Sequence, residues 1–185
     1  LSYALLLVIG TPLGLLFSYY IYKKLPFAGG FRVILFLPSI ISAVVMVTIF
    51  QFYVERAVPA YVEALFGKTI QGLLTNIHSP YAVIIFYNIW IGFGTGVLLY
   101  SNGMTNISQD VVESAHLDGA DGVKEFWYIT LPLVYPTLST FLITGVAGIF
   151  TNQLNLYSFY GVSAPVGVQT FGYYLYTQTQ AATSD

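Results

Sequence analysis

The 185-residue chain has only 14 charged side chains, six basic and eight acidic, against 56% hydrophobic and 17% aromatic residues, and its mean hydropathy is +0.73. Soluble domains carry roughly 25% charged residues, so the 8% found here leaves too few to cover a water-exposed surface, while high apolar content with a net charge of -2 excludes disorder. Six basic residues and a pI near 5.5 give no electrostatic footprint for nucleic acid, and zero Cys removes disulfide scaffolds and thiolate chemistry. Beginning at Leu1 without Met and ending at Asp185 inside an apolar pattern, the sequence reads as a fragment.

The charges fall into three clusters and one terminal residue: Lys23, Lys24 and Arg32; Glu55, Arg56, Glu63 and Lys68; and Asp110, Glu113, Asp118, Asp121, Lys124 and Glu125. A helix needs roughly 20 apolar residues to cross the hydrocarbon core, and the uncharged stretches 1–22, 33–54, 69–109 and 126–184 accommodate four or five such helices. Gly, Pro and polar punctuation places spans at about 3–22, 31–53, 81–101 and 133–156, with a partial one over 171–185. The runs lack the two-residue alternation of a membrane barrel strand. The fold class is therefore all-α: a polytopic transmembrane helical bundle, one domain over 1–185, incomplete at both ends. Leu1–Tyr22 lacks the basic start and small-residue cleavage site of a signal peptide.

Lys23, Lys24 and Arg32 lie together between the first two spans, which places that loop in the cytoplasm, segment 54–80 outside and loop 102–131 inside. The acidity of the last loop is no contradiction, because Asp and Glu carry little weight in the rule. Tyr19, Tyr20, Tyr22 and Tyr53 lie at span ends and read as interfacial belt residues.

Loop 102–131 reads as two short helices around a glycine elbow. Ser108 or Asp110 starts the first, Asp110 and Glu113 have the spacing of a capping box, and Gly119 supplies the stop. Asp121 caps a second, apolar helix through Phe126, Trp127 and Ile129 that ends before Pro132. Val112, Ala115, His116 and Gly119 share one mostly small face, suited either to capping the chain's own bundle or to close approach by something else.

No ionisable residue lies inside a span, which argues against a proton relay or a Na⁺-coupled acidic site. What remains are two stripes, Asn88, Gly92 and Thr95 on one span and Gly145, Gly148 and Asn152 on another. Amides, a hydroxyl and bare backbone beside Tyr87 and Trp90 suit a neutral polyhydroxylated ligand. The same positions also suit helix packing, as do Gly10-x-x-x-Gly14 and Gly92-x-x-x-Gly96. Gly67-Lys68-Thr69 lacks the first glycine of a phosphate-binding loop, position 62 being Val62. His78 and His116 are separated by a membrane crossing, so no shared metal site is expected.

Glu113-Ser114-Ala115-His116-Leu117-Asp118-Gly119-Ala120, with Ile129 and Leu131-Pro132 beyond, closely resembles the EAA loop of binding-protein-dependent ABC importer permeases, with Ser114 where Ala is usual. Phe31-Arg32 followed by Leu35-Phe36-Leu37-Pro38 is similar to an entry motif of the carbohydrate-uptake branch, which includes maltose and glycerol-phosphate permeases. The resemblance implies a multi-pass permease subunit of a bacterial or archaeal plasma (inner) membrane that moves a sugar or oligosaccharide and hydrolyses nothing itself. Its implied partners are a second permease subunit, a cytosolic ABC ATPase dimer and an extracytoplasmic solute-binding protein, within the lipid bilayer. ATP and Mg would bind the ATPase, and this chain would bind no cofactor. The EAA loop would be the coupling helix: Glu113 would pair with a cation of the ATPase, Ala115 and Gly119 would allow close docking, Asp118 would cap or brace the elbow, and Ser114 and Ala120 would belong to the same ATPase-coupling segment. A permease for a non-sugar solute and an ion-coupled secondary transporter are the alternatives.

Overall fold

The structure, a computed structural model, describes residues 2–75 and 80–183; His78 lies outside the described residues. All regular elements among them are helical: α1 Ser2–Tyr22, α2 Ala28–Ile40, α3 Ala43–Phe66, α4 Pro80–Thr105, α5 Gln109–Leu117, α6 Val123–Phe150, α7 Leu156–Tyr160 and α8 Phe171–Thr183. Of these, α1, α3, α4 and α6 are long and apolar enough to cross a membrane, and α2 is a shorter apolar helix. The chain divides into two compact units, Leu1–Pro38 with Ile91–Val146, and Ser39–Trp90 with Ala147–Asp185.

In the first unit, small residues let helices approach closely, the usual device where hydrophobicity cannot drive association between helices. Ser18, fully buried, donates to the Gly14 carbonyl at 2.5 Å and is also 2.9 Å from that of Val97. Gly14 faces the Tyr100 ring, and a Cβ there would sit 3.5 Å from it. Gly94 is the tight position of the Gly92–Gly96 stretch, because a Cβ on it would collide with the Leu35 backbone, whereas Gly92 and Gly96 have open space. Leu15, Tyr100, Met104, Phe126 and Val134 form the core of this unit. In the second unit Phe50, Tyr87 and Phe159 pack around one another, Phe50–Tyr87 at 4.9 Å and Tyr87–Phe159 at 5.0 Å between ring centroids.

Three elements differ from the expected spans. The stretch 31–53 is divided at Ile41–Ser42: Pro38 removes a helical amide donor and crowds the carbonyl four residues earlier, and Ser42 restarts the chain from φ -51, ψ 133. Helix α3 then runs on through Glu55, Arg56 and Glu63 until Gly67 stops it at φ 63, its amide bonded to the Glu63 carbonyl at 2.8 Å. The third change is at α6, which starts at Val123 and ends at Phe150 in place of 133–156. Leu154 and Asn155, at φ 52 and 57, are left-handed and cannot continue a helix. Both long helices contain a π-helical turn, Tyr53–Ala57 before Pro59 and Phe126–Thr130 before Pro132. The wider turn sits where proline would otherwise disrupt the ladder of hydrogen bonds.

Candidate functional site

Loop 102–131 owes its shape to a helix, a glycine stop and a helix that continues into the span. Ser108 is the N-cap residue of α5, with no side-chain cap bond, so Asp110 and Glu113 form no capping box; the Glu113 carboxylate instead accepts from Gln109 Nε2 at 2.8 Å. At the other end Gly119 N–H bonds the His116 carbonyl at 3.0 Å and Ala120 N–H bonds the Ala115 carbonyl at 2.9 Å, a Schellman motif with Gly119 at φ 77. A glycine is needed there for its backbone angle; a Cβ would meet nothing within 4 Å. Gly122, at φ 54, precedes α6 in place of Asp121 as cap. The second helix does not end before Pro132 but runs through it to Phe150, so the second half of the loop is continuous with the apolar span.

One buried carboxylate ties this loop to α1. Glu125 is fully buried, and its Oε2 lies 2.6 Å from Lys23 Nζ and 2.8 Å from His116 Nε2. An ionised carboxylate only accepts, so the imidazole Nε2 carries the proton in that pair. Tyr19 donates to the Gly122 carbonyl at 3.0 Å, and its ring meets Phe126 at 5.0 Å between centroids. The last turn of α1, the end of α5 and the start of α6 thus share one hub, and a buried charge is tolerable only when paired in this way.

The small face expected on α5 turns inward in part: Ala115 is buried and His116 reaches Glu125. Glu113, Ser114, Asp118 and Gly119 are exposed, as is Leu117 at 89% of its surface, while Ala120 is half-buried. What faces outward is therefore a carboxylate-bearing surface around one bare leucine, and the small residues at Ala115 let the chain close on itself.

Of the six pathway candidates, Gly92, Thr95 and Gly145 belong to the first unit and Asn88, Gly148 and Asn152 to the second. Asn88 Nδ2 donates to the Ile84 carbonyl at 2.9 Å and to the Leu154 carbonyl at 3.1 Å, and its Oδ1 accepts from Asn155 Nδ2 at 3.1 Å. Asn152 Oδ1 accepts the Leu154 amide at 2.8 Å, so Asn88 and Asn152 both hold the turn that follows α6. Gly92 and Thr95 are exposed; Gly145 lies against Leu7, where a Cβ would come to 3.1 Å; Gly148 starts a 3₁₀ turn. In the 54–75 segment, Glu55 accepts the amides of Leu74 at 2.6 Å and Thr75 at 3.0 Å and the Thr75 hydroxyl at 2.7 Å. Burial, and then the charge of Glu55, push the Tyr160 hydroxyl above its ordinary pKa.

Two participants escaped sequence reasoning, Lys23 and Glu125. The available signal was Glu125 itself, a carboxylate at the head of an apolar helix immediately before Phe126.

A family model described as binding-protein-dependent transport system inner membrane component matches residues 10–183. The chain belongs to this family. The family description, an inner membrane component, is in keeping with four helices long and apolar enough to cross a bilayer among the described residues. Within the family it is similar to the arabinooligosaccharides transport system permease protein AraP of Bacillus subtilis, 27% identical over 93% of this chain and 56% of that protein. It is also similar to the multiple sugar-binding transport system permease protein MsmF of Streptococcus mutans, 28% identical over 73% of this chain and 47% of that protein. The chain spans about half the length of these relatives. A solved bacterial ABC transporter involved in the import of the acidic polysaccharide alginate shares the fold, with a TM-score of 0.81 over 98% of this chain and 65% of that one, at 23% identity.

Proposed function

We propose that this chain is a permease subunit of an ATP-driven importer, passing a sugar or oligosaccharide delivered by an extracytoplasmic binding protein. The observation that carries the proposal is the geometry of loop 102–131: an exposed, acidic helix α5, locked by a glycine stop to a second helix that continues into the membrane. Such a lever turns movement of a docked partner into tilt of the span, because rigid elements transmit displacement that a flexible loop would absorb.

The cytosolic ATPase dimer is the partner proposed for α5, with Glu113 and Asp118 meeting its cations and Leu117 filling a cleft. ATP and Mg belong to that partner; this chain supplies transmission and no bond-breaking step. A second permease subunit completes the pathway across the bilayer. The saccharide reading draws support from the named substrates of the relatives AraP and MsmF and from the long stretches 1–22, 33–54, 69–109 and 126–184 without a Lys, Arg, Asp or Glu. Because the side-chain amides of Asn88 and Asn152 are engaged in holding a turn of the second unit, we assign those two residues to that turn, and keep exposed Gly92 and Thr95 of the first unit as pathway candidates.

The test uses the full-length protein assembled with its ATPase and partner subunits. Binding protein loaded with the matching sugar is expected to raise ATP turnover, and Glu113→Lys is expected to leave the protein inserted while abolishing that response. If no loaded binding protein stimulates turnover, or Glu113→Lys responds normally, the proposal fails.

A further inference from the structure

The three cations near the α1–α2 turn, Lys23 and Lys24 in the turn and Arg32 near the start of α2, have divided roles. Lys23 is committed to Glu125, but Lys24 and Arg32 have no carboxylate within ion-pair distance among the described residues. Both line one cavity of about 490 Å³, formed by the turn 21–29 with Arg32 on one side and Ser101, Asn102 and Thr105 of α4 on the other. No acidic residue among the described residues lines it.

The cavity offers donors but no carboxylate among the described residues. Besides the ammonium and the guanidinium, the amide of Asn102 has no hydrogen-bond partner among the described residues. Helix α2 begins at this wall: Ala28 N–H bonds the Leu25 carbonyl at 3.0 Å and Phe31 N–H bonds the Phe27 carbonyl at 2.9 Å, which leaves the amide of Gly29, on the cavity lining, open among the described residues. A guanidinium, an ammonium and open amides at one place fit a tetrahedral, monoanionic phosphodiester.

The turn is built rather than loose. Lys24 and Phe27 both adopt positive φ, 50 and 63, and the Tyr20 hydroxyl fixes the turn by donating to the Pro26 carbonyl, with the Tyr20 and Phe31 rings edge-to-face at 5.8 Å. This geometry holds Phe27 out at 85% exposure, beside Leu25 at 44% and Phe31 at 41%. Apolar side chains held outward at the end of a membrane-spanning helix, beside a cationic cavity, match a molecule with an anionic head and a hydrocarbon tail. A free anion would give Phe27 and Leu25 nothing to contact.

We propose that this cavity binds the phosphate headgroup of an anionic phospholipid, with Lys24 and Arg32 on the phosphodiester and Leu25, Phe27 and Phe31 against the acyl chains. The orientation of the α1–α2 turn puts the lipid in the cytoplasmic leaflet, where anionic headgroups gather basic pockets of this kind.

The test places the full-length protein, with its partner subunits, in nanodiscs of equal phosphatidylglycerol and phosphatidylcholine, then measures retained lipid by native mass spectrometry after extraction. Phosphatidylglycerol is expected to be retained several-fold over phosphatidylcholine. Lys24→Gln/Arg32→Gln is expected to abolish that preference, whereas the charge-conserving Lys24→Arg/Arg32→Lys and the distant Lys68→Gln keep it. Equal retention of the two lipids, or a preference surviving in Lys24→Gln/Arg32→Gln, overturns the proposal; so does displacement of the lipid by millimolar inorganic phosphate, which would make the site one for a free anion. Retention is read without transport, so its failure leaves the importer reading untouched.

Discussion

Glu55 lies within, and Glu125 immediately before, a π-helical turn that precedes a proline, yet they hold the chain in different ways. Glu55, half-buried, accepts backbone amides and a hydroxyl from the nearby segment Leu74–Thr75. Glu125, fully buried, takes charged or ionisable side chains from Lys23, just past the end of α1, and from α5. A carboxylate on backbone amides fastens a single loop. One paired with side chains of two other segments makes the position of each depend on the others, which is what a transmitting element requires.

The largest effect is expected from removing the cation. Lys23→Ala leaves the Glu125 carboxylate buried with His116 alone, and breaking a buried pair costs about 3–5 kcal/mol. The cost should fall near the low end because the lysine side chain keeps 26% of its surface. A thermal unfolding midpoint unchanged from wild type would remove the hub from the account. Next comes Gly119→Val, which forces a β-branched residue to φ 77 at a cost of roughly 1–2 kcal/mol; sugar-stimulated ATP turnover should fall much further than stability does. Equal losses of both would show that the elbow matters only for folding.

The smallest effect sharpens the contrast. In Glu55→Gln the side-chain oxygen still accepts an amide, so the loss should stay near about 1 kcal/mol. Faster hydrogen exchange at the Leu74 and Thr75 amides is expected, with sugar-stimulated turnover intact. A coupling defect in Glu55→Gln as severe as that of Lys23→Ala would erase the distinction between the two carboxylates.

Much of this organisation was legible in the sequence, for definite reasons. Charge gaps marked the apolar helices because hydrocarbon excludes charge, and Gly119 could be read as a helix stop because a left-handed residue at that point favours glycine. The interruption at Ile41–Ser42 was hidden, since Pro38 is as compatible with a kink as with a break and the flanking residues are apolar on both sides. The continuation of α6 through Pro132 was hidden too, because a π turn can absorb a proline that usually signals an end. The hub was the least legible feature. Its contacts join residues as far apart in sequence as Tyr19 and Gly122, 103 positions, and no local pattern reports such a pairing. In the spans, Asn88 was a reasonable pathway candidate by residue type, but its amide meets Leu154 and Asn155, a contact that no helical spacing reveals.

The central claim is that the exposed face of α5 docks the ATPase, and site-directed crosslinking tests it most directly. The chain has no Cys, so single cysteines can be introduced at Leu117, 89% exposed on α5, and at Tyr61, 63% exposed on α3. In the assembled full-length transporter, Leu117→Cys is expected to crosslink to the ATPase subunit and Tyr61→Cys is not. A crosslink from Tyr61→Cys with none from Leu117→Cys would contradict the account.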